Sequence, residues 1–228
     1  MPGQGYHEVV VDTPVHGEDL AGFAQENMDL LLRALADRYA HHINRWGARY
    51  VSVFRNWGRE AGASLSHSHW QIIALPMVPP LLRREMDVLS QAPFCHLCNV
   101  AWREAASSRL IAESGRWIAI SPFCSKTPYE VWMLPKEHIS SLAELRDESR
   151  LELASLLRLV LGSLRSVLGD PPYNIMIYQL PSGYHLNLRI QPAISRIAGF
   201  EHSTGVYINQ TPPERAASEL RRAGSPKG

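Results

Sequence analysis

The chain has 228 residues, of which 45% are hydrophobic and 20% charged, with a formal net charge of +1. That is enough apolar sequence to bury a sizeable core in one large domain or two small ones, and the near-neutral charge gives no general attraction to nucleic acid. Because the sequence has no run of about 18 apolar residues and no basic-then-apolar start, we expect neither a membrane span nor a signal peptide, and we predict a cytoplasmic protein.

Hydrophobic periodicity predicts a first group of elements in the N-terminal part of the chain. In chain order these are a strand at 7–13, a helix at 18–43, strands at 49–55 and 69–75, and a helix near 80–90. Pro76, Pro79 and Pro80 end the strand pattern and separate this group from the next.

A second group of elements repeats the pattern of the first. It comprises strands near 116–121 and 128–134, a helix near 147–168, and strands near 173–179 and 184–190. The repeat indicates an internal duplication of a strand–helix–strand–strand unit. We therefore predict an α+β fold of two related units with antiparallel sheets and packed helices, divided into 1–80 and 81–228.

The stretch from Gly62 to Gln71 contains the residues that are most informative about function. In a strand, alternate side chains share a face, so His67, His69 and Gln71 would lie together behind a turn that contains Gly62 and Ser64. Backbone N–H groups and a hydroxyl at such a turn suit a phosphate, and a neutral imidazole is a competent nucleophile at phosphorus. Spacing alone leaves open a metal site or an ordinary surface strand.

A Cys-x2-Cys pair, Cys95 and Cys98, points to metal binding more than to redox chemistry, although two unbonded buried thiols stay an alternative. A zinc site needs two further ligands, and the chain offers His138 and His185 among its histidines. The spacing alone does not select them.

The run from Phe54 to Ser64, with the following His-Ser-His-Trp-Gln, resembles the active-site segment of galactose-1-phosphate uridylyltransferases, a family of the histidine-triad superfamily. The family pattern is Asn-x-Gly, a short loop, Gly-x-Ser and His-Pro-His-x-Gln, and only the proline differs here, replaced by Ser68. The resemblance implies two histidine-triad-like units, with His69 as the nucleophile that forms a nucleotidyl-histidine and Gln71 steadying the phosphoryl group. It further implies a phosphate cradle made by the residues Asn56, Gly62 and Ser64.

The second half of some family members has its own zinc site, formed by a Cys-x2-Cys pair, a histidine in a Leu-Pro-Lys-x-His turn and a histidine at the start of a strand. The order of Cys95, Cys98, His138 and His185 matches that site, so the resemblance implies zinc there. Asn187 stands where the family has a second histidine, and an amide cannot act as an imidazole nucleophile. The second half is therefore predicted to be structural.

His67 is implied to be a zinc ligand in the first half, together with His16 and a cysteine pair from a longer N-terminal region. This sequence has no cysteine pair before His16, so we predict an incomplete first unit and no zinc, or only weak zinc, at His16 and His67. A missing sheet edge leaves unpaired backbone groups and apolar surface, which favours dimerisation or pairing with another chain, and we predict a homodimer.

The segment 198–209 resembles the family's closing loop, which reaches into the sugar-phosphate pocket of the partner subunit. Phe200 and Glu201 are the candidates for substrate contact there, with packing of the loop as the alternative role. A helix through Arg222 is predicted after Pro212 and Pro213.

The predicted function is nucleotidyl transfer between a nucleotide sugar and a sugar 1-phosphate, as in a hexose-1-phosphate uridylyltransferase, through nucleotidyl-His69. An ADP-sugar or dinucleoside polyphosphate phosphorylase is an alternative, because the motif leaves the base, sugar and acceptor open. The other alternative is a catalytically impaired, zinc-stabilised binding or subunit protein. No membrane or nucleic-acid partner is expected.

Overall fold

A computed structural model describes residues 4–225 of the chain. The strands are β1 (Tyr6–Val11), β2 (Tyr50–Trp57), β3 (His69–Leu75), β4 (Leu110–Glu113), β5 (Trp117–Ile120), β6 (Val131–Pro135), β7 (Tyr173–Tyr178) and β8 (Asn187–Pro192). The helices are α1 (Gln25–Trp46), α2 (Pro80–Leu89), α3 (His96–Glu104), α4 (Asp147–Leu168), α5 (Gly199–Thr204) and α6 (Pro213–Gly224). None of the helices within 4–225 is both long and apolar enough to cross a membrane.

The strands form one eight-stranded sheet in the order β1-β3-β2-β7-β8-β6-β5-β4. Every neighbouring pair is antiparallel, which confirms the predicted α+β class with antiparallel pairing. The strands of the two predicted units meet at the centre, where β2 pairs with β7. The division into 1–80 and 81–228 stays a prediction.

One face of the sheet, which we call the core face, packs against α1 and α4. Side chains such as Val53, Trp70 and Ile72 point to this face and are fully buried with the apolar stripes of the two helices. The stripe of α1 consists of Met28, Leu31, Leu32 and Leu35. This is the i, i+3, i+4, i+7 spacing of a helix that buries one side.

The opposite face, which we call the site face, is covered only in part. Leu82 of α2 packs beneath Tyr184, and Leu97 of α3 packs on the β5 and β6 end of the sheet. The β1 end remains open, since Val9 and Val11 are 51% and 61% exposed. An edge strand with exposed valines offers both backbone hydrogen bonds and apolar surface to another chain.

The element boundaries differ from the predicted ones at several places. The first long helix begins at Gln25 and not at residue 18, because a separate 3-10 turn at Leu20–Gly22, capped by Asp19, precedes it. Neither α3 nor β4 was predicted. Strand β8 begins at Asn187 and not at residue 184, so His185 lies in the loop before the strand.

Candidate functional site

His69 opens strand β3 and is only 5% exposed. Its ring Nδ1 lies 2.8 Å from the backbone carbonyl oxygen of His67. A carbonyl can only accept, so Nδ1 carries a proton and donates, and in the neutral ring the lone pair therefore lies on Nε2. This tautomer is the one required for attack on an electrophile through Nε2.

Gln71 follows His69 on the same face of β3, as predicted from the alternation of a strand. Its Oε1 accepts a hydrogen bond from Nε2 of His7 on β1 at 3.2 Å. The side-chain NH2 of Gln71 is the remaining donor, available to a phosphoryl oxygen. His7 was not singled out from the sequence, because its position beside Gln71 depends on the pairing register of β1 and β3.

The predicted phosphate cradle lies around the turn between β2 and β3. Asn56 accepts a hydrogen bond from Nδ2 of Asn174 at 2.8 Å and donates to the carbonyl of Gly62 at 3.4 Å. Gly62 has φ +85°, a left-handed conformation that glycine adopts without strain. Asn56, Ser64 and His67 line a cavity of about 570 Å³, whose walls also include Arg59.

His16 and His67 lie side by side next to this turn, at 3.3 Å between their Nδ1 atoms. Nε2 of His67 donates to the carbonyl oxygen of Thr13 at 2.7 Å, which leaves Nδ1 of His67 as the acceptor. The structure therefore brings the two histidines together, while a metal at this position stays a prediction. Across residues 4–225 no third cysteine, histidine or carboxylate joins them in a metal-binding group.

Cys95, Cys98, His138 and His185 converge in the second half of the chain. Their ligand atoms all lie within 4.8 Å of one another. The Cys98 sulfur lies 3.4 Å from Nδ1 of His138 and 3.3 Å from Nδ1 of His185. Nε2 of His185 donates to the carbonyl of Pro135 at 3.0 Å, so Nδ1 of His185 faces the sulfurs with its lone pair.

The donor atoms of this cluster, more than its environment, suit a metal ion. Burial, together with the neighbouring Cys95, raises the pKa of the Cys98 thiol to about 11. Burial lowers the pKa of His185 to about 4, so its imidazole is neutral at physiological pH. Two cysteine sulfurs and two imidazoles make a donor set that fits a tetrahedral metal ion, whose charge would favour the thiolate form. The four residues could therefore bind a metal.

The turn before β8 has the same hydrogen-bond pattern as the turn before β3. Nδ2 of Asn187 donates to the carbonyl of His185 at 3.0 Å, as Nδ1 of His69 does to that of His67. The space in front of Asn187 is filled by Arg189, whose Nε donates to Asn187 at 2.8 Å and whose Nη atoms contact Glu85. The position of Asn187, which corresponds to that of His69 in the first half, is thus closed by protein side chains.

Phe200 and Glu201 lie on the short helix α5. The carboxylate of Glu201 accepts a hydrogen bond from the backbone N–H of Ala198 at 3.0 Å and so caps the helix, while Phe200 is half exposed. In the described part of the chain neither is hydrogen-bonded to His69 or Gln71. Their contact with substrate stays a prediction.

Comparison with known proteins agrees with this geometry. Residues 23–223 match a family described as a domain of unknown function, DUF4921. The chain is 37% identical to ADP-glucose phosphorylase of Arabidopsis thaliana over 96% of its own length and 65% of that protein. It is 30% identical to galactose-1-phosphate uridylyltransferase of Thermotoga maritima over 96% of its own length and 74% of that protein. A solved structure of a uridylyltransferase superposes with a TM-score of 0.91 at 33% identity, covering 98% of this chain and 76% of that one.

The antiparallel α+β fold and the paired histidines at the start of β3 define a protein of the uridylyltransferase-like class. The chain spans 65% of the length of the plant relative. It belongs to the galactose-1-phosphate uridylyltransferase family and to DUF4921, which confirms the resemblance found in the sequence.

Proposed function

We propose that the protein is a nucleotidylyltransferase that uses His69 as its nucleophile on a nucleotide sugar. The observation that carries this proposal is the hydrogen bond from Nδ1 of His69 to the His67 carbonyl, which in the neutral ring places the lone pair on Nε2. A neutral imidazole held in one tautomer needs no further base to attack phosphorus. The similarity to ADP-glucose phosphorylase and to galactose-1-phosphate uridylyltransferase also supports it.

The reaction has two displacements at the α-phosphorus. Nε2 of His69 forms a bond to the α-phosphorus while the bond between that phosphorus and the bridging oxygen breaks. The sugar phosphate leaves with the electron pair of the broken bond. A phosphate oxygen of the acceptor then attacks the same phosphorus and releases His69. Gln71 would donate its amide to a phosphoryl oxygen, where negative charge builds up during each step.

The cradle residues hold the phosphates for these steps. Asn56 and the Gly62 turn are fixed by hydrogen bonds to each other and to Asn174, so they need little reorganisation when a phosphate binds. Ser64 is exposed at the cavity and free to offer its hydroxyl. The proposed substrates are therefore a nucleotide sugar and a sugar phosphate, with Phe200 and Glu201 kept as candidate sugar contacts.

Transfer to inorganic phosphate is the second candidate reaction. It is favoured by the 37% identity to ADP-glucose phosphorylase, against 30% to the bacterial uridylyltransferase. The same His69 chemistry serves both reactions, because only the acceptor and the base differ.

Zinc is the proposed metal at Cys95, Cys98, His138 and His185. A set of two thiolates and two imidazoles with no position left for water is typical of a structural zinc site. Bound there, zinc would tie α3 to the loops before β8 and after β6.

The proposed enzyme is also a homodimer, supported by the exposed valines of the edge strand β1.

Intact-mass analysis tests the proposal. The protein is incubated separately with UDP-glucose and ADP-glucose, and the expected result is one nucleotidyl adduct, whose mass identifies the base. His69→Ala should abolish the adduct. His41→Ala should keep it, because His41 lies on α1, outside both the proposed zinc site and the segment from His67 to His69, which we call the histidine turn. Equal labelling of the His69→Ala protein would refute the assignment, and no adduct on the native protein would favour the zinc-stabilised binding protein.

A further inference from the structure

Arg55 lies on the core face of β2, directly beneath the histidine turn, with no exposed side-chain surface. Its Nη1 donates to the hydroxyl of Tyr173 at 2.6 Å and to Asp19 at 3.2 Å, and Tyr173 in turn donates to Asp19. The equally buried carboxylate of Asp12 lies 3.5 Å from Nε. A charged group is buried at a high desolvation cost, so its position is strongly determined by these partners.

The remaining nitrogen of this guanidinium, Nη2, donates to the hydroxyl of Ser68 at 2.7 Å. Ser68 is the residue between His67 and His69, and its side chain is buried on the side opposite to theirs. The bond therefore connects the buried charge cluster to the backbone that separates the two histidines.

The His67 carbonyl and the Ser68 nitrogen belong to one planar peptide unit. That carbonyl is the acceptor for Nδ1 of His69 at 2.8 Å. Rotation of this peptide plane would move the acceptor away and release the ring from its tautomer. A contact that holds Ser68 in place therefore also holds the plane of the His67–Ser68 peptide. It thereby sets the direction in which Nε2 of His69 points.

The loop from 12 to 19 is held by the same arrangement. It supplies Asp12 and Asp19 to Arg55, and the Thr13 carbonyl to Nε2 of His67 at 2.7 Å. The histidine turn is therefore anchored from its buried side through Ser68 and from its outer side through His67.

We propose that Arg55 and Ser68 are positioning residues, and that their hydrogen bond holds the peptide between the histidines so that His69 presents Nε2 to the phosphorus. The inference rests on the proposed function of His69. In the family pattern this position is a proline, whose ring restrains the backbone covalently. Here the restraint comes from a hydrogen bond to a buried arginine.

Three variants separate positioning from simple stability. Ser68→Ala removes the hydroxyl and frees the peptide. Ser68→Pro also removes the hydroxyl but restrains the backbone through its ring. Ser163→Ala is the control, because Ser163 is an equally buried serine of α4 whose hydroxyl donates to the Leu159 carbonyl of its own helix at 2.9 Å.

Two readouts are compared at one pH in the full chain. The first is the rate of nucleotidyl-His69 formation from ADP-glucose or UDP-glucose, measured by intact mass. We expect Ser68→Ala to lower this rate roughly 10- to 100-fold with little change in KM, since misplacement of a reacting group acts on the chemical step. Ser68→Pro and Ser163→Ala should keep it within a few-fold of the native protein.

The second readout is the ¹⁵N NMR signature of the His69 imidazole, assigned by its loss in His69→Ala. The native ring should show one tautomer with a proton on Nδ1, Ser68→Ala should show a mixture, and Ser68→Pro should resemble the native protein. If the native protein forms no adduct, the proposed function fails, and the imidazole signature alone decides the positioning role.

A Ser68→Ala protein with native rate and native tautomer would overturn the proposal. So would equal losses in Ser68→Ala and Ser68→Pro, or in Ser68→Ala and Ser163→Ala at matched melting temperatures. Should Ser68→Ala melt below the assay temperature, Ser68→Cys takes its place, because a thiol keeps the volume and is only a weak acceptor.

Discussion

Replacing Glu85 by alanine is expected to lower the free energy of unfolding by about 3 kcal/mol. Glu85 accepts hydrogen bonds from two nitrogens of Arg189 at 2.8 and 3.0 Å, and a third from the Tyr184 hydroxyl at 2.6 Å. The Arg189 side chain is only 7% exposed, so alanine leaves a buried cation without its carboxylate.

The magnitude follows from what Arg189 loses and keeps. Removing one partner of a buried ion pair costs about 3–5 kcal/mol. We take the lower end because the Glu85 side chain is 27% exposed and partly screened by water. Arg189 also keeps the Asn187 amide oxygen at 2.8 Å and the rings of Trp132 and Tyr178 at 4.3 and 4.0 Å.

The effect of pH has a definite sign. Burial opposes ionisation of Glu85, but the hydrogen bonds and charge of Arg189 outweigh it, so the pKa of Glu85 lies below its ordinary value. The ionised carboxylate therefore stabilises the fold fully above the unfolded pKa of about 4.3. As the pH falls through the lower folded pKa, this stabilisation is lost and the difference between native and Glu85→Ala protein shrinks.

Urea unfolding followed by tryptophan fluorescence at pH 7 measures the difference. The control is Glu148→Ala, because Glu148 pairs with Arg116 at the surface, with side chains 74% and 43% exposed. Exposed pairs contribute about 1 kcal/mol or less. A Glu85→Ala loss no larger than that of Glu148→Ala would refute the reasoning that Arg189 depends on its carboxylate.

Three further predictions concern the metal, the transfer step and the sheet edge. The native protein should contain one zinc per chain by elemental analysis and Cys98→Ser should contain none; two zinc ions per chain would contradict the incomplete set at His16 and His67. Gln71→Ala should slow adduct formation roughly 100-fold without preventing it, and an unchanged rate would exclude Gln71 from phosphoryl binding. Val11→Lys should weaken self-association in analytical ultracentrifugation at an unchanged melting temperature, and an unchanged association would move the dimer contact away from β1.

Local sequence patterns predicted those elements whose apolar spacing is long and regular. Helix α4 was expected near 147–168 and runs over Asp147–Leu168, because its buried leucines recur every three or four residues. The start of α1 was placed too early, since the buried Leu20 belongs to a separate 3-10 turn that the same periodicity does not distinguish. Helix α3 and strand β4 were missed because nine and four residues give too little periodicity.

The sequence indicated those candidate site residues that are adjacent in the chain or are of a type that binds metal ions. The four residues from Cys95 to His185 do converge, and His16 does meet His67. His7, Arg55 and Glu85 were not singled out, because the sheet register or helix docking alone brings each close to its partner, Gln71, Ser68 or Arg189. Tertiary placement of this kind leaves no pattern in a single sequence.

The pairing of β2 with β7 has a consequence for the order in which the chain folds. Asn56 faces Asn174 across this pair, and the two are joined by a hydrogen bond although 118 positions separate them. Contacts of such long range form late, after much chain entropy has been lost. On the ribosome, the histidine turn is therefore synthesised well before the strand that completes its phosphate cradle. We expect β2 to present an unpaired edge to chaperones until β7 has emerged, so that the site matures only once nearly the whole chain is made.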